Sequence, residues 1–141
     1  MNSRVLIYNH DSFGRGHLRH CMTIANLLVG QHKGLSILIL SGSPSIGSCN
    51  LRAGVDFVRI PRMIKLRNGE YTSTKLGISP DQTLRLRSDI IYHTAQAFDP
   101  DLFIIDKERL DLQGEVSNTL EMLNARGTPI VLGLRNVRMP C

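Results

Sequence analysis

Tryptophan is absent and aromatic residues make up only 5% of the 141-residue chain. So few rings, none interleaved with the basic stretch described below, argue against a stacking platform for single-stranded nucleic acid. Cysteine is equally scarce. Cys21, Cys49 and Cys141 are odd in number and far apart, with no second Cys at short spacing. That suggests neither a disulfide framework nor a zinc site, and the three read as reduced thiols, with no metal expected. Nowhere does the chain approach the roughly 18 uninterrupted apolar residues of a membrane-spanning helix. Met1 runs almost directly into Val5-Leu6-Ile7 without a signal-peptide layout, so a cytoplasmic protein is expected. Acidic residues are the minority charge, twelve against seventeen Lys and Arg, for a net charge of +5. From Arg59 to Arg87 seven residues are basic (Arg59, Arg62, Lys65, Arg67, Lys75, Arg85, Arg87) and two acidic (Glu70, Asp81), which is the whole excess. Such a stretch suits an anionic substrate or a membrane surface, with nucleic acid ranked below both.

What is present is the composition of one soluble globular domain spanning residues 1–141, 42% hydrophobic and 21% charged. Apolar runs and amphipathic segments alternate along it. Arg4 to Tyr8 reads as a buried strand feeding a polar loop from Asn9 to Gly16. His17 to Gly30 is a predicted helix whose stripe is Leu18, Cys21, Met22, Ala25, Leu28 and Val29, with Gly30 at the C-cap position. Leu35 to Leu40 and Val55 to Ile60 are the next two strands, and Pro61 to Ile78 shows no sustained period and reads as a long loop. Ser79-Pro80-Asp81-Gln82 is a capping box opening a helix to about Phe98, expected to bury Leu84, Ile91, Ala95 and Phe98 before Asp99-Pro100 stops it. Leu102 to Ile105 is a fourth strand, Val116 to Gly127 a helix, and Pro129 to Leu132 a fifth strand.

Strands alternating with helices predict a Rossmann-like, three-layer α/β sandwich around a five-stranded parallel sheet of order 3-2-1-4-5. Ligands of such sheets bind beyond the carboxyl ends of the strands. The first of those loops, Asn9 to Arg19, places Gly14 and Gly16 just before a helix, where exposed N–H groups and the helix dipole favour a phosphate or diphosphate. It is not a dinucleotide fingerprint, since Arg19 stands at the third glycine position, and it lacks the Gly-Lys-Ser/Thr of an ATPase loop. His17 at the helix start can serve as a base or phosphate ligand, or stand as a solvated first-turn histidine. Arg15 and Arg19 can pair with phosphate or be ordinary surface cations. His10, His20, His32 and His93 have no comparable placement. Asp106, Lys107 and Glu108 follow the fourth strand, and Arg135 follows the fifth, at the same edge.

The Gly14-Arg15-Gly16-His17-Leu18-Arg19 loop resembles the Gly-x-Gly-His loop of the two-domain, GT-B type glycosyltransferases. These include the enzyme that adds N-acetylglucosamine to the lipid-linked peptidoglycan precursor. Together with Leu40 to Pro44, Val55 to Pro61, Asn68 to Tyr71, Pro100 to Glu108 and Gly127 to Arg135, it looks like a bacterial subfamily of predicted glycosyltransferases. The resemblance covers nearly the whole chain but only the first, acceptor-side half of that architecture. Because the chain stops at Cys141, eight residues after Gly133, a donor-binding domain is expected to be absent. The resemblance implies His17 as general base or acceptor ligand, Asp106 and Glu108 as orienters, and Gly14, Arg15, Gly16, Arg19, Ser43, Lys107 and Arg135 as substrate-binding residues. It implies no cofactor beyond a nucleotide sugar as co-substrate, bound mainly by the other half. The partners implied are an anionic or lipid-linked acceptor, a donor-binding domain or subunit, and peripheral contact with the inner membrane surface. A non-catalytic anion- or nucleotide-binding module and a subunit of a split two-chain transferase are the alternatives.

Overall fold

The structure is a computed structural model that describes residues 2–9, 16–43, 46–48, 50–65, 68, 70–73, 75–105 and 114–132. Its sheet is built from β1 (Ser3–Asn9), β2 (Leu35–Ser41), β3 (Val55–Arg59), β6 (Leu102–Ile105) and β7 (Ile130–Leu132). All pairings are parallel, in the order β3-β2-β1-β6-β7. This is the predicted order; only the numbering differs, because two further strands intervene in the chain. They are β4 (Met63–Lys65) and β5 (Tyr71–Ser73), an antiparallel pair separate from the main sheet. The stretch read as a loop therefore contains a hairpin. Strands of three residues are too short to show a period of two, although Met63 within the pair is fully buried.

Alternation along the strands sends odd and even residues to opposite faces. Val5, Ile7, Ile37, Ile39 and Ile104 meet Leu18, Cys21, Ile24 and Ala25 of α1 (Gly16–Gln31). Leu6, Tyr8, Leu40, Phe103 and Ile105 meet Ile91 and Ala95 of α2 (Pro80–Phe98) and Leu123 of α3 (Ser117–Ala125). One helix above the sheet and two below give the three layers. Cys21 is a reduced thiol in the upper core, whereas Cys49 and Cys141 lie outside the described residues.

The helix ends follow their local chemistry. Ser79 Oγ accepts from the Gln82 N–H at 3.2 Å while Gln82 Oε1 accepts from the Ser79 N–H at 3.1 Å, closing the capping box. At the other end Asp99 takes a left-handed φ of 53° and donates its N–H to Ala95 O before Pro100 ends the helix. After α3, Gly127 at φ 79° lets Thr128 N–H reach Leu123 O and its own N–H reach Asn124 O, a Schellman stop. The inward stripe of α2 is Thr83, Arg87, Ile91 and Ala95. Leu84 and Phe98, expected to be buried, are half-buried, since a stripe at four-residue spacing leaves 84 and 98 on its flanks.

Candidate functional site

The carboxyl ends of β1, β2, β3 and β6 form the edge where parallel sheets bind ligands, and two buried polar networks lie there. At the ends of β1 and β2, Ser41 Oγ donates to Asn9 Oδ1 at 3.1 Å and accepts the Ser43 N–H at 3.0 Å. Asn9 Nδ2 in turn points to Cys21 Sγ at 3.4 Å. All four residues are buried. The Asn9 side chain thus joins the first strand to both the second strand and α1, holding the turn out of β2 in a single shape.

The second network lies on the other face of the sheet. Arg87, entirely buried in α2, forms a two-pronged pair with Glu115, Nε to Oε2 at 2.7 Å and Nη2 to Oε1 at 2.8 Å. Tyr8 O–H donates to the same Glu115 Oε1, and Arg87 Nη1 donates to the carbonyl of Pro61. One guanidinium thereby ties together α2, the turn before α3, the end of β1 and the chain leaving β3. Burial, reinforced by the Glu115 charge, pushes the Tyr8 hydroxyl well above its ordinary pKa, so it stays protonated and donating. Burial opposes the charge on Arg87, but the Glu115 hydrogen bonds and charge outweigh it and raise its pKa. The Arg87 charge is thus matched inside the fold, and Arg87 leaves the set of cations counted from Arg59 to Arg87 as available to a ligand.

Beside the Pro61 carbonyl a cleft of about 260 Å³ opens, lined by Arg59, Ile60, Pro61, Arg62, Lys75 and Leu76. A larger groove of about 720 Å³ runs between α2 and α3, with Tyr92, His93, Glu121 and Arg126 among its walls, but none of its lining residues belongs to a strand. Of these two, the first opens at the carboxyl edge of the sheet.

Gly16 begins α1 directly beyond that edge, and His17 is the second residue of the helix. Arg19 is exposed on the first turn, and its carbonyl accepts from Thr23 Oγ1 at 2.9 Å. Ser43 lies at the expected edge but is only 2% exposed. Gly14, Arg15, Asp106, Lys107, Glu108 and Arg135 lie outside the described residues, so the structure brings Gly16, His17, Arg19 and Ser43 to one edge and leaves the others undescribed. His32 and His93 are exposed, and His20, one turn after His17, is half-buried with no hydrogen-bond partner for Nε2 among the described residues. No group of three His, Cys, Asp or Glu among the described residues could hold a metal ion, and none of their helices is long and apolar enough to cross a membrane.

Sequence reasoning missed Tyr8, Arg87 and Glu115. Arg87 carried a signal, since it stands four residues from both Thr83 and Ile91 on the inward stripe. Glu115, in a turn, carried none.

With this geometry in place, comparison with solved structures gives a match over nearly the whole chain. A UGT transferase from Siraitia grosvenorii, solved in complex with UDP, aligns at a TM-score of 0.56 and 13% identity, over 92% of this chain and 27% of that one. The fold is shared with that transferase. SsfS6, a glycosyltransferase of Streptomyces sp. SF2575, aligns at a TM-score of 0.46 and 15% identity, covering 93% of this chain and 39% of its own. The chain therefore spans between about a quarter and two fifths of the length of these proteins. No protein-family model and no curated protein matches the sequence. At these identities the likeness is one of fold: a Rossmann-like α/β domain with a five-stranded parallel sheet.

Proposed function

We propose that this chain is the acceptor-side domain of a two-domain glycosyltransferase, moving a sugar from a nucleotide sugar to an acceptor hydroxyl. The observation that carries the reading is the start of α1 at Gly16, just past the carboxyl end of the central strand β1. That start, followed by His17 to Arg19, supports an anion-binding helix N-terminus at the ligand edge of the sheet. In this reading His17 takes the proton from the acceptor hydroxyl as it attacks the anomeric carbon, and the nucleoside diphosphate leaves with the bonding pair. Asp106 and Glu108 orient the acceptor. Gly14, Gly16, Arg15, Arg19, Ser43, Lys107 and Arg135 bind substrate. The nucleotide sugar is held by a donor-binding domain or a separate subunit, and the acceptor is anionic or lipid-linked, met at the cytoplasmic face of a membrane.

A non-catalytic anion-binding module is the second reading, and the basic cleft beside β3 favours it. Both are tested by incubating the full natural protein containing this chain with labelled nucleotide sugars and soluble or lipid acceptor extracts. Acceptor-dependent release of nucleoside diphosphate is expected, reduced about 10²- to 10⁴-fold by His17→Ala. Release that is indifferent to acceptor, or unchanged by that substitution, would sink the catalytic assignment. Phosphate binding without any transfer would select the module.

A further inference from the structure

The rows of side chains that β1 and β2 turn toward α1 change character at the ligand edge. Val5 and Ile7 on β1, and Ile37 and Ile39 on β2, are apolar and belong to the upper core. By the alternation of strands the same rows end two residues further on in Asn9 and Ser41, which are register partners and both 0% exposed. Stability alone does not call for that change. A buried amide and a buried hydroxyl must each be matched by hydrogen bonds to offset lost hydration, whereas an apolar pair would extend the core without that requirement.

What the two polar groups supply is direction. Ser43 N–H donates to Ser41 Oγ at 3.0 Å, Ser41 O–H donates to Asn9 Oδ1 at 3.1 Å, and Asn9 Nδ2 donates to Cys21 Sγ at 3.4 Å. This line of bonds runs from the turn after β2, across the end of β1, to α1. It meets the helix one turn beyond His17, since Cys21 stands four positions after it. Leu18, beside His17, is held to the sheet by apolar packing, which favours burial without fixing direction. Hydrogen bonds do fix it, because they weaken steeply with distance and angle. The Ser41 carbonyl also accepts the Ile60 N–H at 2.9 Å, so the strand end that anchors the line is itself tied to the chain leaving β3.

We infer that Asn9 and Ser41 are positioning residues for the transfer reaction, holding the first turn of α1, with His17, at a set distance from the turn after β2, with Ser43. The inference rests on the acceptor-side reading proposed above, in which His17 takes the acceptor proton and Ser43 binds substrate. Both side chains are buried, so they act through the residues they hold. A misplacement of about 1 Å at a reacting group costs about 100-fold in rate. Loss of the line therefore lowers kcat and leaves the KM of the nucleotide sugar, held mainly by the other half, unchanged.

The test measures acceptor-dependent transfer by the full natural protein containing this chain, with labelled nucleotide sugars and acceptor extracts, alongside the unfolding midpoint of each variant. Asn9→Ala and Ser41→Ala should each lower kcat by about ten- to a hundredfold with the KM of the nucleotide sugar at the wild-type level. Ser41→Thr, which keeps the hydroxyl, should restore most of the rate. Cys21→Ala cuts the last bond of the line with a small change of volume, and it carries the test if Asn9→Ala does not fold; its kcat should fall in the same sense. Ile24→Val removes a buried methylene from the same helix outside the line, and it should lower the midpoint while leaving kcat unchanged. Wild-type kcat in folded Ser41→Ala and Cys21→Ala, with transfer still lost in His17→Ala, overturns the positioning role and leaves the proposed function standing. A fall in kcat that Ile24→Val reproduces overturns the role as well, since it then follows from lost stability. A wild type without transfer, or transfer that His17→Ala leaves intact, sinks the proposed function itself and the positioning role with it.

Discussion

Replacing Arg87 with Leu tests the central structural claim, that one buried guanidinium holds the ligand edge together. Its side chain is 0% exposed and that of Glu115 2%, so neither solvent nor salt screens the pair. Arg87→Leu leaves the Glu115 carboxylate buried with, among the described residues, only the Tyr8 hydroxyl to satisfy it, and deprives the Pro61 carbonyl of its Arg87 donor. Removing one member of a buried pair costs about 3–5 kcal/mol, a large share of the roughly 5–15 kcal/mol that keeps a domain folded. At about 3–5 °C per kcal/mol for a chain of this size, the midpoint should fall by about 10–20 °C. The double variant Arg87→Leu with Glu115→Leu removes both charges and should recover about 2 kcal/mol or more of that loss. It should not recover everything, since the Pro61 carbonyl has then lost its Arg87 donor. Urea unfolding followed by circular dichroism on the wild type, both single variants and the double variant completes the cycle. Additivity within about 0.5 kcal/mol, or a cost below about 1 kcal/mol for Arg87→Leu alone, would refute the reasoning.

Tyr8 makes the fold sensitive to alkali. Its raised pKa means the folded chain keeps a proton that the unfolded chain loses above about pH 10, so stability is fully present below that pH. It should fall above it by about 1.4 kcal/mol per pH unit, and Tyr8→Phe should flatten that slope; an equally steep slope in the variant would contradict the assignment. Ser79→Ala breaks the capping box and should cost about 1 kcal/mol in urea unfolding, and no loss would mean the box is not populated in solution. Gly54 sits at φ 95° with the Leu35 carbonyl 3.0 Å from where a Cβ would stand. Gly54→Ala should therefore cost about 1–2 kcal/mol, and a neutral result would place the turn in another conformation.

The two helix ends most clearly written in the sequence, Ser79 to Gln82 and Gly127, were legible because the chemistry that makes them is local: a hydroxyl three residues from an amide, and a residue without Cβ where φ turns positive. The hairpin between Met63 and Ser73 was not, since its pairs are set by contact across the turn rather than by a period. Among the proposed site residues, Gly16, His17 and Arg19 could be placed at a helix start from spacing alone. The buried environment of Ser43 could not, because it depends on the Ser41 and Asn9 side chains of two different strands.

The sequence by itself determined a parallel sheet covered on both faces. Apolar runs that alternate with amphipathic stretches leave right-handed crossovers as the arrangement that buries both sheet faces. Tertiary structure alone decided that Arg87 turns inward to Glu115 while Arg59 and Lys75 stay exposed. Charge in a sequence has a sign but no direction. A cation becomes a structural strut or stays at the surface according to which carboxylate the fold brings within hydrogen-bonding reach, and Glu115 stands 28 residues from Arg87 along the chain.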